Sequence, residues 1–180
     1  MSYRPITDLW ILARPKVKYY GAYPNGFLER ARALLGVNRN ESVLHACGGR
    51  AKQYPTWAKL CPHDYTLDLD AETSPDFIGD ARYTLPSHPV YPQQWAAVLC
   101  DPPYTVDDAT HYAVPIGSLP TANGLLKNAL AAVRVGGRVG MLHYLLPQPP
   151  REGVKFVACV GVIIGYNNRM RCFSVFERLA

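Results

Sequence analysis

Short apolar runs alternate with stretches of helical periodicity along this 180-residue chain. Leucines and alanines recur on one helical face over residues 25–35 and 125–133, which predicts a helix at each place. Strands that alternate with helices are typical of an α/β fold, in which right-handed crossovers keep the strands parallel. After an irregular, proline-rich start, apolar runs predict such parallel strands over 42–46, 65–69, 76–78, 95–100 and 138–146.

The last part of the chain has a different pattern. Two β-rich runs, 154–164 and 170–177, are joined by the turn sequence Gly-Tyr-Asn-Asn-Arg, which predicts an antiparallel hairpin. Asn25 and Gly36 are the predicted caps of the first helix, and Gly136-Gly137 is the predicted end of the second. We therefore expect a single domain with a mostly parallel seven-stranded sheet that ends in an antiparallel hairpin.

Composition limits the kind of protein that the chain can be. With 48% hydrophobic and 18% charged residues, it has enough apolar material for a core and too little charge for a disordered chain. Its cysteines form no Cys-X-X-Cys pair and are expected to be reduced thiols of a cytoplasmic protein. The longest apolar run, 156–164, is too short to span a bilayer, so we expect no membrane partner.

The net charge and the candidate metal ligands limit the kinds of partner and metal that we expect the chain to bind. A net charge of +5 is compatible with nucleic acid or another anionic partner. The nearest approach to a metal site is His45, Cys47, Cys61 and His63. Their spacing matches no common zinc pattern, and we expect no metal.

Polar residues follow the predicted strands at their carboxyl ends, where open α/β sheets bind ligands. The first strand runs into 45–51, His-Ala-Cys-Gly-Gly-Arg-Ala, whose glycines would admit a ligand close to the backbone or form a plain tight turn. The second ends in 68–70, Asp-Leu-Asp, which would bind ribose hydroxyls or cap a helix. The third leads into 79–81, Gly-Asp-Ala, which would read the edge of an adenine ring or form another turn. Neither G-x-G-x-x-G nor G-K-[ST] is present, which disfavours NAD and ATP sites.

The fourth strand ends in the most distinctive sequence of the chain, Asp101-Pro102-Pro103-Tyr104. Two prolines commonly end a strand, but here they also fix φ and offer carbonyls without competing N–H donors. An exocyclic amine held between the Asp101 carboxylate and the Pro102 carbonyl would donate both of its hydrogens. Its lone pair would then point out of the ring plane toward an electrophile, and Tyr104 would stack on the base that carries the amine.

These strand ends resemble the S-adenosylmethionine-dependent amino-methyltransferases with a (D/N/S)PP(Y/F/W) motif, which modify exocyclic amines of adenine, cytosine or guanine. Residues 18–31 are similar to the N-terminal segment that closes over the cofactor's methionine end in the DNA-modifying members. Four further segments correspond to the family's glycine-rich cofactor loop, ribose acid, adenine-contacting turn and catalytic loop, in that order: 44–49 (LHACGG), 67–70 (LDLD), 79–81 (GDA) and 101–104 (DPPY).

The resemblance covers most of the chain, and DPPY is its specific motif. The chain departs from the family at the cofactor loop. His45 stands where an acid is usual, and Gly49-Arg50-Ala51 replaces a G-x-G sequence.

The resemblance implies a Rossmann-like methyltransferase fold that uses S-adenosyl-L-methionine as its cofactor. Residues 1–180 would form a single methyltransferase domain, with 1–36 as the cofactor-closing segment and 42–180 as the core sheet. The implied catalytic residues are Asp101, Pro102, Pro103 and Tyr104. The implied cofactor-binding residues are Tyr23, Pro24, His45, Ala46, Cys47, Gly48, Gly49, Asp68, Asp70, Gly79, Asp80, Ala81 and Asp101.

The implied activity is methylation of an exocyclic base amine, with adenine N6 in DNA favoured because residues 18–31 match the DNA-modifying members. An RNA base methyltransferase, acting on guanine N2 or adenine N6, is the alternative, because the widest insertion, 105–123, is too small for a target-recognition domain. Such an enzyme would read a short site or have little sequence preference, or a protein partner or homodimer would supply its target specificity.

Two other activities fit parts of the sequence. A protein glutamine methyltransferase would use the same DPPY motif, but the basic charge disfavours it. A catalytically silent cofactor- or nucleic-acid-binding subunit is favoured by the altered loop at 49–51 and opposed by the intact DPPY.

The implied mechanism is in-line transfer of the sulfonium methyl group to the amine nitrogen, with orientation and electrostatic placement as the enzyme's main contribution. A target base in duplex DNA would be flipped out and stacked on Tyr104. Basic residues are candidates for phosphate contacts, although each is also compatible with an ordinary surface charge: Arg14, Lys16, Lys18, Arg50, Lys52, Arg169 and Arg171.

Overall fold

An eight-stranded mixed sheet organises the computed structural model, which describes residues 4–15, 17, 19, 21–90, 94–112, 118–165 and 169–180. Its strands are β1 (Ile6–Leu12), β2 (Val43–Ala46), β3 (Tyr65–Asp68), β4 (Phe77–Ile78), β5 (Trp95–Cys100), β6 (Val133–His143), β7 (Val154–Ile164) and β8 (Met170–Arg178). The helices are α1 (Phe27–Leu35), α2 (Trp57–Leu60), α3 (Val106–Ala109) and α4 (Ala122–Ala132), with 3-10 turns at Ala51–Gln53 and Ala71–Thr73. The strands lie in the order β1-β7-β8-β6-β5-β2-β3-β4.

Strand direction confirms the predicted α/β fold with its C-terminal antiparallel hairpin. β8 is antiparallel to both of its neighbours, β6 and β7, and the other paired strands are parallel. Residues 166–168 of the predicted hairpin turn lie outside the described residues.

The sheet has one strand more than the sequence predicts. The proline-rich start, expected to be irregular, contributes β1, which pairs in parallel with β7 and places Ile6 opposite Ala158. Trp10 and Leu12 of this strand are buried, whereas Ile11 is 71% exposed. The side chains of β1 therefore alternate between core and solvent at its carboxyl end, as expected of a strand that is covered on one face, whereas residues 6–9 are all exposed.

The middle of the sheet is covered on both faces. β5 lies between β2 and β6, and five of its six residues are buried. Phe27 and Leu28 of α1 belong to a hydrophobic cluster on one face, and Leu126 and Ala129 of α4 belong to a second cluster on the other. A parallel strand between two helical layers needs apolar side chains in both directions, which explains the unbroken apolar sequence of β5.

The first helix is bounded by glycines at both ends. Gly36 ends α1 with a φ of 66°, as predicted. The predicted Asn25 cap is wrong, because Gly26 occupies that position with a φ of 79°, and the Asn25 amide donates instead to the Arg14 carbonyl at 3.0 Å. Among the described residues, no helix is both long and apolar enough to cross a membrane.

The second predicted helix is shifted toward the N-terminus. α4 begins after Thr121, whose Oγ1 accepts a hydrogen bond from the Gly124 amide at 3.1 Å. The predicted ending at Gly136-Gly137 is wrong, since both glycines lie inside β6. A Cβ at Gly137 would lie 2.9 Å from the Ala96 carbonyl oxygen, so this glycine serves the close approach of β6 to β5.

Candidate active site

A cleft with about 870 Å³ of empty space, part of it open to solvent, lies beyond the carboxyl ends of β2, β3, β4 and β5. We call it the first cleft. It brings together segments from all four predicted strand ends: 47–51, 68–70, 79–82 and residues Asp101 and Pro103. Parallel strands point their carboxyl ends to the same edge of a sheet, and this places residues from distant parts of the sequence around one space.

The turn after β2 requires glycine. A Cβ at Gly48 would lie 2.9 Å from the His45 carbonyl oxygen and 3.2 Å from the Thr66 Cβ atom. Cys47, which precedes it, has a φ of 58°. The Gly48 amide donates to the Leu67 carbonyl at 3.0 Å, which ties the turn to β3. The backbone itself therefore forms this wall of the first cleft.

Two carboxylates lie at the end of β3. Asp68 accepts the Gly49 amide at 2.7 Å and the Asp70 amide at 3.0 Å. Burial is the main cause that raises the pKa of Asp68, and the backbone amides partly oppose it. Asp70 accepts the Glu72 amide at 2.9 Å and caps the 3-10 turn that follows. Both line the first cleft, so the helix-cap alternative holds for Asp70 without removing it from the site.

Asp80 lies at the first cleft as predicted, but its carboxylate is already paired. The Arg82 guanidinium contacts both Asp80 oxygens, with an Nη2–Oδ2 distance of 2.6 Å. This hydrogen-bonded partner lowers the pKa of Asp80. Arg82 also donates to the Ser118 carbonyl at 2.8 Å. Sequence reasoning missed Arg82, although its position two residues after an acid in a turn was the available signal.

A second cleft, with about 1270 Å³ of empty space including open solvent, lies beside the first. All four residues of the Asp-Pro-Pro-Tyr sequence (101–104), which we call the DPPY loop, line it. The lining residues common to both clefts are Tyr19, Gly21, Asp101, Pro103 and Tyr112. The DPPY loop is therefore the wall at which the two clefts meet.

Asp101 contributes a carboxylate to this meeting point. Its backbone amide donates to the Ala46 carbonyl at 3.2 Å, which fixes the start of the loop against β2. Burial raises the pKa of the Asp101 carboxyl to about 6, and the positive charge of Arg171 and a hydrogen bond from Tyr104 partly offset this effect. A carboxylate with few surrounding water molecules is a stronger hydrogen-bond acceptor for a ligand than an exposed one.

Tyr104 is turned into the wall of the second cleft. Its hydroxyl donates a short hydrogen bond to Asp101 Oδ1. Its ring lies edge-on to the His143 ring at 5.5 Å between centroids and 4.7 Å from the Tyr144 ring. The Arg171 guanidinium is 5.9 Å from the Tyr104 ring centroid. Tyr104 therefore lines the second cleft with its hydroxyl already bound to Asp101.

Three predicted cofactor contacts, Pro24, His45 and Ala46, are not among the residues that line the first cleft. The side chains of β2 enter the core, where Ala46 is fully buried and His45 is 1% exposed. His45 Nε2 lies 3.0 Å from Asp64 Oδ2. The Pro24 carbonyl accepts the Phe27 amide at 3.0 Å at the start of α1. These three residues support the cleft from behind.

His45, Cys61 and Asp64 place potential metal-ligand atoms within 4.8 Å of one another. The Arg32 guanidinium lies 2.5 Å from Asp64 Oδ2 in the same group. This fixed positive charge already neutralises the carboxylate and would repel a cation. The buried group therefore fits an ion pair that fastens α1 to the segment before β3.

The other predicted cofactor residues reach the first cleft: Tyr23, Cys47, Gly48, Gly49, Asp68, Asp70, Gly79, Asp80, Ala81 and Asp101. Tyr23 is 3% exposed and stacks on Phe27 at 5.2 Å between centroids. Among the described residues, no hydrogen-bond partner is found for the buried hydroxyls of Tyr19 and Tyr23. Both hydroxyl oxygens are closed to solvent, so these tyrosines contribute their rings rather than their hydroxyls to the wall of the cleft.

The candidate phosphate contacts divide between the clefts. Arg14, Arg169 and Arg171 line the second cleft, and Arg50 lines the first. Lys52 instead pairs with Asp76 at 2.5 Å. Lys16 and Lys18 lie outside the described residues.

The sequence matches no protein-family model and no curated protein significantly. The structure, in contrast, is similar to many solved structures. TrmN of Thermus thermophilus superposes with a TM-score of 0.60 at 21% identity, over 89% of this chain and 50% of the TrmN chain. PH1948 of Pyrococcus horikoshii, a candidate RNA methyltransferase, superposes with a TM-score of 0.58 at 15% identity, over 95% of this chain and 91% of the other.

The chain has a Rossmann-like methyltransferase fold. SMU.1697c, a candidate methyltransferase of Streptococcus mutans in complex with SAH, shares this fold with a TM-score of 0.51 at 12% identity, over 84% of this chain and 97% of the other. This chain spans nearly all of PH1948 and SMU.1697c, but only half the length of TrmN. In this methyltransferase fold, the two clefts lie at the carboxyl edge of the sheet, where ligands of open α/β sheets bind.

Proposed function

We propose that this chain is an S-adenosylmethionine-dependent methyltransferase that acts on an exocyclic amine of a nucleic-acid base, with adenine N6 in DNA as the favoured target. The observation that carries the proposal is the position of the DPPY loop. Asp101 and Pro103 belong to the walls of both clefts, so a group held in one cleft meets a group held in the other at this loop. A transfer reaction between two bound molecules needs such a shared wall.

The first cleft has features that fit S-adenosylmethionine. The turn at Gly48 brings bare backbone to the cleft, which suits close approach to a ligand. Asp68 and Asp70 offer carboxylates for ribose hydroxyls at the end of β3. When bound, S-adenosylmethionine supplies an electrophilic methyl group.

The DPPY loop would hold and orient the amine. The Asp101 carboxylate would accept one amine hydrogen and the Pro102 carbonyl the other, which leaves the nitrogen lone pair free to point out of the ring plane. The half-buried carboxylate is ionised above its pKa of about 6, and therefore serves as an acceptor at neutral pH. His143 is a poor candidate for a general base, because burial lowers its pKa and its Nδ1 atom already accepts the Leu145 amide at 2.9 Å.

The second cleft would hold the nucleotide. The rings of Tyr104 and Tyr144 lie in its wall, and aromatic rings stack on unpaired bases regardless of sequence. Arg14, Arg169 and Arg171 line the same cleft and would contact phosphates, since guanidinium groups bind phosphate in a bidentate manner. The chain's net charge of +5 is compatible with this partner.

RNA is the second candidate substrate, and one comparison favours it. PH1948, which superposes over most of both chains, is a candidate RNA methyltransferase. The second cleft itself does not distinguish the sugars, because its aromatic and arginine side chains are suited to bases and phosphates of either polymer.

Transfer of a labelled methyl group from S-adenosylmethionine to DNA, RNA and protein pools, followed by mass spectrometry of the nucleosides, tests the proposal. We expect labelled N6-methyladenine in DNA. Label in an RNA base would select the second candidate. Label in protein alone, or no label despite cofactor binding, would contradict nucleic-acid methylation.

Asp107→Ala is a matched control for these assays. Asp107 is an exposed acid in α3, close in sequence to the DPPY loop, and it lines neither cleft. We expect this variant to transfer methyl groups at the wild-type rate. The variant thereby distinguishes the effect of removing any negative charge near the DPPY loop from the effect of removing Asp101 itself.

A further inference from the structure

The hydroxyl of Tyr104 occupies the carboxylate that, in the proposed function, has to accept the substrate amine. It donates to Asp101 Oδ1 through a short hydrogen bond. Asp101 is thereby blocked on the side of the second cleft, where Tyr104 lies. In the proposed function, a substrate amine that enters from the second cleft competes with the Tyr104 hydroxyl for this carboxylate.

Arg171 contacts the same hydroxyl. Its Nη1 atom lies 3.4 Å from the Tyr104 hydroxyl oxygen, and its guanidinium lies 5.9 Å from the centre of the ring. The guanidinium, the phenol and the carboxylate thus form a chain from the wall of the second cleft to the meeting point of both clefts.

Arg171 differs from its neighbour Arg169 in its pairing. Arg169 lies 3.6 Å from an Asp108 carboxylate oxygen. Among the salt bridges of the described residues, none includes Arg171. Its guanidinium contacts the neutral phenol of Tyr104 at 3.4 Å, longer than the usual hydrogen-bond range, and its charge also acts on the Asp101 carboxylate. A phosphate offers the same guanidinium a charged, bidentate partner, which binds more strongly than a neutral one.

We propose that Arg171 is a positioning residue that keeps the Tyr104 hydroxyl on Asp101 until a substrate phosphate in the second cleft pairs with its guanidinium. This inference rests on the proposed function. Pairing with the phosphate draws the guanidinium away from the phenol, and the Tyr104 hydroxyl is then displaced by the amine. Asp101 becomes available only when an anionic substrate is present, and Tyr104 becomes free to stack on the base.

Nuclear magnetic resonance of the protein labelled with ¹³Cζ-tyrosine follows the Tyr104 hydroxyl directly. The Tyr104→Phe variant assigns its signal. We expect an adenine-containing single-stranded DNA or RNA oligonucleotide, whichever the methyl-transfer assay identifies, to shift the Tyr104 signal in the presence of the cofactor. A methylphosphonate oligonucleotide of the same sequence, which keeps the bases and lacks the backbone charge, is expected to leave the signal in place.

Kinetics separate positioning from a merely structural role. For the charged oligonucleotide, Arg171→Gln is expected to raise KM about tenfold or more, since it removes a charge-assisted contact. Arg171→Lys keeps the charge and is expected to recover part of that loss. In wild type, kcat is expected to be higher for the charged than for the methylphosphonate oligonucleotide. In Tyr104→Phe, which has no hydroxyl on Asp101, this difference in kcat is expected to disappear.

Each outcome decides the inference. A Tyr104 signal that stays unchanged while the charged oligonucleotide binds and is methylated would overturn it and leave the proposed function standing. The same shift of the Tyr104 signal with the methylphosphonate oligonucleotide would show that the phosphate charge does not release the hydroxyl, and would overturn the inference. A charge-dependent difference in kcat that persists in Tyr104→Phe would also overturn it. Absence of both binding and methylation would overturn the proposed function together with the inference.

Discussion

Asp101 is destabilising in its ionised form, because it lies among protein atoms that replace its water. Its pKa in the folded chain is about 6, above the ordinary value of 3.8. A carboxyl whose folded pKa is raised weakens the fold above that pKa, and the penalty vanishes below the unfolded pKa. Groups that bind ligands often carry such a cost in folding stability.

Asp101→Asn removes this charge and keeps an oxygen acceptor for the Tyr104 hydroxyl. We expect it to raise the free energy of unfolding at about pH 8, by up to about 3 kcal/mol for a shift of roughly two pKa units. The gain should shrink as the pH falls through 6 and be absent below about pH 4. Urea denaturation at both pH values measures it. An equal gain at low pH would mean that ionisation is not the cause.

Gly48 offers a test of the turn that forms the first cleft. Gly48→Ala puts a Cβ 2.9 Å from the His45 carbonyl oxygen, and the backbone has to shift. We expect a loss of about 1–3 kcal/mol in stability and weaker S-adenosylmethionine binding in calorimetry. Gly136→Asn is the control, because a Cβ at Gly136 meets no atom within 4 Å, the residue lines neither cleft, and Asn tolerates a positive φ. Equal affinity of Gly48→Ala and wild type would place the cofactor elsewhere.

At the scale of residues, the sequence predicts which side chains lie at the clefts better than it predicts which side chains pair with one another. Gly48 and Asp68 reach the first cleft as predicted, because a residue that directly follows a strand has only one edge of the sheet to occupy. The hydrogen bond from Tyr104 to Asp101 and the ion pair of Asp80 with Arg82 were not predicted. Side-chain conformations decide such contacts, and the same residues would allow others.

At the scale of elements, the hydrophobic pattern predicts strands that are buried on both faces. It misses strands that form only by pairing with a distant part of the chain. β5 has an unbroken apolar sequence and was predicted with its observed bounds. β1 has one buried face, and it becomes a strand only by pairing with β7, which lies far along the chain. Gly136-Gly137 resembles a helix end locally, but a close approach between strands places it inside β6.

Trp10 is the largest side chain by which β1 packs into the core. Trp10 is 6% exposed, and its ring lies 6.3 Å from Phe27 and 5.9 Å from Phe173 between centroids. We expect Trp10→Ala to lower the free energy of unfolding by about 3–5 kcal/mol. Ile11→Ala, at a site 71% exposed on the same strand, should change it by less than about 0.5 kcal/mol. Similar losses for both variants in thermal denaturation would mean that β1 is not packed as described.

At the scale of the whole molecule, the net charge of +5 and the arginines of the second cleft predict salt-dependent binding of nucleic acid. The dissociation constant of a single-stranded oligonucleotide should rise with salt concentration. Arg171→Gln should lower the slope of log K against log salt by about 1 unit, because one phosphate contact is lost. Fluorescence anisotropy over a salt series measures the slope. An unchanged slope would show that Arg171 meets no phosphate.

The fold of the whole molecule was predictable, and its substrate was not. The alternation of β2 to β6 with helices and the antiparallel β7–β8 pair follow from local patterns, and the similarity to methyltransferase structures agrees with them. The choice between DNA and RNA depends on contacts with sugars and neighbouring nucleotides. The stacking and phosphate-binding side chains of the second cleft are common to both kinds of partner.

The central claim is that Asp101 holds an amine at the wall between two clefts. Its most direct test is methyl transfer by Asp101→Ala, measured beside calorimetric binding of S-adenosylmethionine. We predict that methyl transfer is lost while the cofactor still binds, because the first cleft keeps its glycine turn and its carboxylates at the end of β3. Full transfer activity in Asp101→Ala would contradict the account.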